Sequence, residues 1–261
     1  MSIAQDEYPG LDTQSVLSDI DALAERLKRR VAVDASPLQR VRQLNQYFFN
    51  ELGFGGNVNN YYDPRNSFVH EVLLRRRGIP ITLAIIYVEL ATQIGLNAQG
   101  ISFPGHFLVK LSVTKGAQAG DVVIDPFTGQ SLSGEELEDR LGPYRRSQSL
   151  MGELEAPLSH FLRAASARET LARVLRNLKE IHRTDEDWGR LLPVMDRLVV
   201  LLPEALEERR DRGLAWAESG HPLEAIADLD AYLRQRPQAE DRFVLVERLA
   251  HLRRGLPPRL H

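Results

Sequence analysis

The sequence predicts an α+β protein in which a small antiparallel sheet packs on a buried helix and an all-helical region follows. Two observations predict the first part. The run 81–94 is apolar on nearly every side and has helical length, so we expect a central helix buried on most sides. Short β-rich segments bounded by glycine and proline follow it, at 98–103, 107–113 and 122–125.

A repeat in the C-terminal part of the chain supplies the third observation. Pro203 and Pro237 lie 34 residues apart and each closes a predicted pair of helices. The unit ending at Pro237 carries small and large apolar residues in the order typical of tetratricopeptide repeats: Gly213, Trp216, Gly220, Ala225 and Leu229. The preceding unit keeps the period but places Lys179 and His182 at key positions. We therefore expect two domains, 1–157 and 158–261.

Composition narrows the possible partners. The net charge is -3, which gives no electrostatic basis for binding nucleic acid or an anionic membrane. The chain has no cysteine, so disulfides and thiolate metal sites are excluded. No apolar run reaches the ~18 residues of a membrane span, and residues 1–10 lack the pattern of a signal peptide. We expect a cytoplasmic protein without a cofactor or metal.

The elements before the central helix follow from local signals. Residues 1–12 are expected to be a loose leader, and Thr13 or Ser15 to cap a first amphipathic helix. Ser36 and Pro37 open a second helix, predicted to reach residue 52. A loop rich in Gly, Asn and Pro and a helix over 67–76 follow.

Proline and glycine set the boundaries around the central helix. Gly78 ends the helix before it, and Pro80 begins the central helix. After the sheet, a short helix is predicted over 135–141 and a linker over 142–157.

Three parts of a possible acyl-transfer site occur in order along the chain. Such chemistry needs a nucleophile, a base within hydrogen-bond reach and a group that orients the base. The buried helix, His106 before one strand and Asp125 at the end of another could supply the scaffold, the base and the orienting carboxylate. The absent residue is the thiol nucleophile.

Four segments make the chain resemble the SirB1 family. They are Asn60–Pro64 with Asn66 and Ser67, Gly78–Leu83, Phe103–Val109 and Asp125–Phe127. The resemblance implies a transglutaminase-like (papain-like) domain followed by tetratricopeptide-like repeats over nearly the whole chain. It also implies that His106 matches the catalytic histidine and Asp125 the orienting aspartate. The position of the catalytic cysteine falls on Pro80.

Two interpretations follow. In the first, the domain is non-catalytic and keeps a peptide or amide cleft, so the protein acts as an interaction or regulatory module with an unidentified protein partner. The cleft residues would be Tyr61, Tyr62, Asp63, Asn66, Pro80 and His106. The repeat helices would offer a second binding surface.

In the second interpretation the protein is an amide hydrolase or acyltransferase. Thr82 or Ser67 would replace the thiol, or His106 would activate water directly. Thr82 lies two residues beyond Pro80, a rotation of roughly 200° on a helix, so its side chain would face away from the cysteine's direction. His70 is expected to be a solvated surface residue, since no histidine pair supports a zinc site with His106.

Overall fold

The computed structural model describes residues 2–115, 118–150 and 156–255, with two compact units at Met1–Val174 and Leu175–His261. The predicted α+β class is confirmed. Elements of the first unit are α1 Ser2–Glu7, α2 Thr13–Lys28, α3 Pro37–Asn45, a π-helical turn Gln46–Glu51, β1 Gly55–Gly56, a 3₁₀ turn Pro64–Ser67, α4 Val69–Arg75, β2 Arg77–Gly78, α5 Pro80–Gln93, β3 Asn97–Ile101, β4 Leu108–Lys115, β5 Gln118–Ile124, β6 Ser131–Leu132, α6 Gly134–Leu150 and α7 Leu158–Phe161.

The N-terminal residues are ordered, contrary to the predicted leader. The Tyr8 ring packs edge-on against Phe68 and His70, with centroid distances of 5.5 and 4.6 Å. Asp12, rather than Thr13 or Ser15, caps α2, because its Oδ1 accepts hydrogen bonds from two backbone amides of the first turn.

The second predicted helix ends early, and a π-helical turn replaces its last part. The Leu52 amide donates to the Tyr47 carbonyl five residues back. The wider turn allows two consecutive rings to reach Tyr87, with centroid distances of 5.3 Å from Phe48 and 5.8 Å from Phe49. Ring packing on the central helix accounts for a change that propensity alone does not indicate.

Helix α5 is the buried centre of the first unit, as the sequence predicts. Its side chains at Leu83, Ala84, Ile86, Tyr87 and Leu90 are fully buried. The antiparallel sheet has the order β3-β4-β5-β6 and packs on α5 through β3 and β4.

Both faces of strand β4 are covered, because its neighbouring residues Leu108 and Val109 point to opposite faces and both are buried. Leu108 belongs to a cluster with α6 and the segment after it, including Leu158, Phe161 and Leu162.

The predicted linker 142–157 is wrong in its first part, where α6 continues through Pro143. Residues after the helix stabilise this extension: Tyr144 packs edge-on against Phe161, and Arg145 donates to the Ala156 carbonyl. The predicted domain boundary between residues 157 and 158 stays a prediction, which limited proteolysis would test.

The second unit begins within α8 Ala167–Thr184 and continues with α9 Trp188–Leu201, α10 Leu206–Glu218, α11 Pro222–Gln235 and α12 Arg242–Arg254. Helices α10 and α11 form the pair that the repeat predicted. Gly213 allows their close approach, since a Cβ there would lie 3.0 Å from the Asp228 Cβ and the Leu229 side chain. Trp216 packs with Leu191 and Met195.

Lys179, which departs from the apolar pattern of the repeat, forms ion pairs with two carboxylates. Its buried ammonium lies 2.7 Å from Glu208 Oε2 and 2.6 Å from Asp211 Oδ2. Arg176 and Arg210 pair with the same two carboxylates. Where a repeat would place an apolar contact, this chain uses a buried ionic network. Among the described residues, no helix is both long and apolar enough to cross a membrane.

Candidate functional site

His106 is positioned by a tight turn at the entrance to β4. The His106 amide donates to the Phe103 carbonyl at 3.0 Å, which closes a four-residue turn. Pro104 and Gly105 are its central residues, and Gly105 has a φ of 72°. Proline followed by a left-handed glycine is the sequence signature of a type II turn. The turn therefore fixes the backbone position of His106, two residues before β4 begins at Leu108.

Asp125 meets His106 from the neighbouring strand. His106 Nε2 and Asp125 Oδ1 are 2.9 Å apart, and the carboxylate is almost fully buried. Because an ionised carboxylate only accepts hydrogen bonds, Nε2 carries the proton in this pair. With its proton on Nε2, the imidazole has Nδ1 as its second ring nitrogen, an acceptor whenever it carries no proton, and the side chain is 24% exposed. This geometry is that of a histidine oriented for proton transfer at Nδ1.

Two further donors complete the carboxylate's contacts. The Phe127 amide donates to Oδ1 at 2.9 Å, and Arg140 Nη1 of α6 lies 3.1 Å from Oδ2. Burial opposes ionisation of Asp125, but hydrogen bonds from His106, Phe127 and Arg140 outweigh it and lower the carboxyl pKa to about 2. Asp125 is therefore a permanent anion at neutral pH.

The turn after Asp125 is connected to the start of α5. The Phe127 carbonyl accepts from the Gly56 amide at 2.9 Å, and the Phe127 ring lies so close to Gly56 that a Cβ would be 2.4 Å from it. Gly56 in turn pairs with Gly78, two residues before Pro80. A short parallel bridge thus ties the carboxylate turn to the N-terminus of the central helix.

The loop 57–66 is organised from inside by Asn66, which is fully buried. Its Nδ2 donates to the carbonyls of Asn60 and Tyr61, and its Oδ1 accepts from Asn57. Both the nitrogen and the oxygen of its side-chain amide therefore form hydrogen bonds within the loop. The prediction that Asn66 contacts a ligand is therefore corrected to a structural role.

Asp63 has a similar role. Its buried carboxylate accepts from the Arg65 amide and pairs with the guanidinium groups of Arg65 and Arg75 at 2.9 and 3.1 Å. Burial opposes ionisation, but these hydrogen bonds and charges prevail and lower its pKa. This side chain likewise holds the loop and is not available to a ligand.

Tyr61 and Tyr62 form the exposed part of the loop. Tyr62 is 72% exposed and packs edge-on against Tyr61 at 5.3 Å. Tyr61 also approaches the Phe127 ring, with a centroid distance of 6.0 Å. The Tyr61 ring thus contacts the residue whose backbone amide donates to Asp125. That this loop borders a ligand cleft stays a prediction.

The residues near the predicted nucleophile position carry no available nucleophile. Pro80 is buried at the first position of α5. The Thr82 hydroxyl is fully buried, donates to the Asn66 carbonyl at 2.6 Å and accepts from the Ile79 amide at 3.3 Å. Ser67 is also buried, and its Oγ has no hydrogen-bond partner within the described chain. Its position offers no exposed oxygen for attack on a substrate.

Two family models match the chain and together cover most of it. The model described as transglutaminase-like superfamily matches residues 14–176, and a tetratricopeptide repeat model matches residues 178–250. The fold and site therefore define a transglutaminase-like protein with C-terminal tetratricopeptide repeats.

Relatives narrow the class. A UPF0162 protein of Xylella fastidiosa (strain Temecula1) is 40% identical over 92% of this chain and 83% of its own length. A UPF0162 protein of Pseudomonas aeruginosa is 27% identical over 96% of this chain and 88% of its own length. The chain belongs to the UPF0162 family, in agreement with the SirB1 resemblance.

A more distant likeness extends to eukaryotes. F-box only protein 21 of Homo sapiens is 26% identical over 63% of this chain, which is 26% of that protein's length. No solved structure matches the chain.

Sequence reasoning missed Arg140 and Gly56. Arg140 lies in a predicted helix fifteen residues after Asp125, with no pattern that links the two. Gly56 carries a weak signal, since paired glycines in a loop can mark a close approach by another side chain. Nothing in the sequence identifies Phe127 as the ring involved.

Proposed function

We propose that this protein is a non-catalytic interaction module whose transglutaminase-like domain binds a peptide or amide ligand beside His106. The observation that carries the proposal is the combination of Pro80 at the nucleophile position with a Thr82 hydroxyl fully engaged in backbone hydrogen bonds. His106 is oriented for proton transfer, but the chain has no thiol and neither predicted hydroxyl, that of Thr82 or of Ser67, is exposed.

The binding surface in this proposal comprises Tyr61, Tyr62 and the exposed edge of His106. Exposed aromatic rings and an imidazole acceptor, linked through Phe127 and Asp125, suit an extended peptide, since the rings supply contact area and Nδ1 can accept a peptide N–H. The repeat unit would bind a protein partner, which is the usual role of such helices. A regulatory role, which rests on the resemblance, and a cytoplasmic location, which rests on the composition, belong to the same proposal.

The catalytic part of the proposal is tested by restoring the missing thiol. Wild type, Pro80→Cys and Pro80→Cys/His106→Ala are incubated with an activated acyl ester, and intact mass is measured. We expect an acyl adduct only in Pro80→Cys, because a thiol at a helix N-terminus near an oriented imidazole is activated. A His106-dependent adduct on the wild-type chain would contradict the proposal.

The binding part needs a separate measurement. A photo-crosslinking amino acid placed at position 62 is compared with the same residue at Val200, which is 81% exposed in the second unit. We expect a discrete crosslinked species at position 62 that His106→Ala weakens. Identical crosslinking at both positions would contradict a specific cleft.

A hydrolase in which His106 activates water is the second candidate. The 2.9 Å contact between His106 Nε2 and Asp125 favours it, because it leaves Nδ1 as the base. Amide or ester cleavage by the wild type that His106→Ala abolishes would rank this candidate first.

A further inference from the structure

A cavity outside the His106 site lies between α2 and α4 in the first unit. Its volume is about 300 Å³. Helix α2 contributes residues spaced three or four apart, which places them on one helix face. The lining residues are Val16, Asp19, Ala22, Leu23, Arg26, His70, Leu73, Leu74 and Arg76. One part of the wall is therefore aliphatic, and the other carries ionisable side chains.

The two arginines of the cavity, Arg26 and Arg76, face a single lining carboxylate, that of Asp19. Arg76 follows α4 in a left-handed conformation, with a φ of 58°, and its guanidinium lies 4.6 Å from the Phe54 ring centroid. Its Nη1 is buried with no hydrogen-bond partner in the described part of the chain. Burial lowers the pKa of Arg76, Tyr47 and Asp19 oppose that effect in part, and Arg26 adds a smaller lowering. Arg76 is half-buried, and a buried guanidinium N–H without an acceptor is costly.

His70 adds a second group whose polar atoms are unused. It was predicted to be a solvated surface residue, and this is wrong because both ring nitrogens are buried without a hydrogen bond within the described residues. The nearest carboxylate oxygen, on Glu71, is 3.9 Å from Nε2. Burial lowers the pKa of His70, so the ring is neutral at pH 7 and retains one N–H to donate.

We propose that this cavity binds a small carboxylate that carries an aliphatic group. Arg76 and Arg26 would hold the carboxylate, because a guanidinium matches its planar pair of oxygens. Leu23 and Leu73 would contact the aliphatic part. Asp19 on the same wall disfavours a dianion, so a monoanionic carboxylate is preferred over phosphate. This inference is independent of the function proposed for the His106 site.

Ligand-observed NMR titration of the full chain tests the proposal with three probes: 4-methylpentanoate, the neutral 4-methylpentan-1-ol and inorganic phosphate. A ligand of this size is expected to bind with a Kd of about 1 mM. We expect saturable binding of the carboxylate only. Equal binding of the alcohol would overturn the role of the arginines, and tighter binding of phosphate would overturn the choice of ligand.

Variants assign the binding to this cavity. Arg26→Gln alters an exposed side chain and should leave the fold intact, while Arg76→Gln removes the half-buried cation. Each should weaken the binding of 4-methylpentanoate at least about tenfold. Arg29→Gln, at the end of the same helix and outside the cavity, is the matched control and should bind as wild type does. Unchanged affinity in Arg26→Gln, or no binding to wild type, would overturn the proposal.

Discussion

Replacing Thr82 by valine tests whether its hydroxyl is structural. Valine keeps the shape of the side chain but removes the donor to the Asn66 carbonyl and the acceptor for the Ile79 amide. Each buried group left unsatisfied costs about 1–3 kcal/mol, so we expect a loss of about 3 kcal/mol in the free energy of unfolding. For a unit of this size that corresponds to a fall of about 6–12 °C in the melting temperature.

The matched control is Thr82→Ser, which keeps the hydroxyl and removes one methyl group. Its expected cost is about 1 kcal/mol. The chain offers separate probes, because both tryptophans, Trp188 and Trp216, lie in the second unit, whereas six of the seven tyrosines lie before residue 175. Near-UV circular dichroism in the tyrosine region therefore follows the first unit, and tryptophan fluorescence follows the second.

A specific outcome would refute the structural role of Thr82. If Thr82→Val were as stable as Thr82→Ser in urea unfolding, the hydroxyl would not be satisfying the Asn66 carbonyl. The loop 57–66 would then need another anchor to α5.

Three further predictions address other parts of the molecule. Asp125→Asn should lower the free energy of unfolding by about 2 kcal/mol at pH 7. Because the pKa of Asp125 is lowered to about 2, its contribution is present above about pH 4 and is lost as the pH falls toward 2. The urea midpoints of variant and wild type should therefore converge in acid. Lys179→Met should destabilise the second unit by about 3 kcal/mol, since two carboxylates lose the buried ammonium between them, and tryptophan fluorescence should report it. Gly213→Ala should cost about 1–3 kcal/mol by forcing α10 and α11 apart; its control, Gly189→Ala, has room for the methyl group and should be neutral or stabilising by up to about 1 kcal/mol in the same melts.

The sequence predicts the elements whose signals are local. Pro80 at the start of α5 and the Pro104–Gly105 turn before His106 are examples, because each depends on the backbone preference of one or two residues. The buried character of α5 is also readable, since an all-round apolar helix has no solvent face. These signals explain why the sequence predicts His106 before one strand and Asp125 at the end of another, both after a buried helix.

Features that depend on distant partners were not predictable. The π-helical turn at 46–51 depends on Tyr87, some forty residues later, and the extension of α6 past Pro143 depends on packing against Phe161. The sequence predicts a surface position for His70 because a lone mid-helix histidine beside Glu71 gives no sign of a ring such as Tyr8 covering it. In each case tertiary packing overrides the local preference.

The His106–Asp125 pair has a structural reason to persist without a nucleophile. Asp125 accepts hydrogen bonds from His106, Phe127 and Arg140, so one carboxylate joins the entrance of β4, its own turn and α6. Through Phe127 and Gly56 the same turn reaches the start of α5. Loss of this buried carboxylate would leave three donors without their acceptor. These contacts give the Asp125 carboxylate a structural role, whereas the partly exposed His106 imidazole, whose Nδ1 has no hydrogen bond among the described residues, is the part of the pair that the proposed ligand would contact.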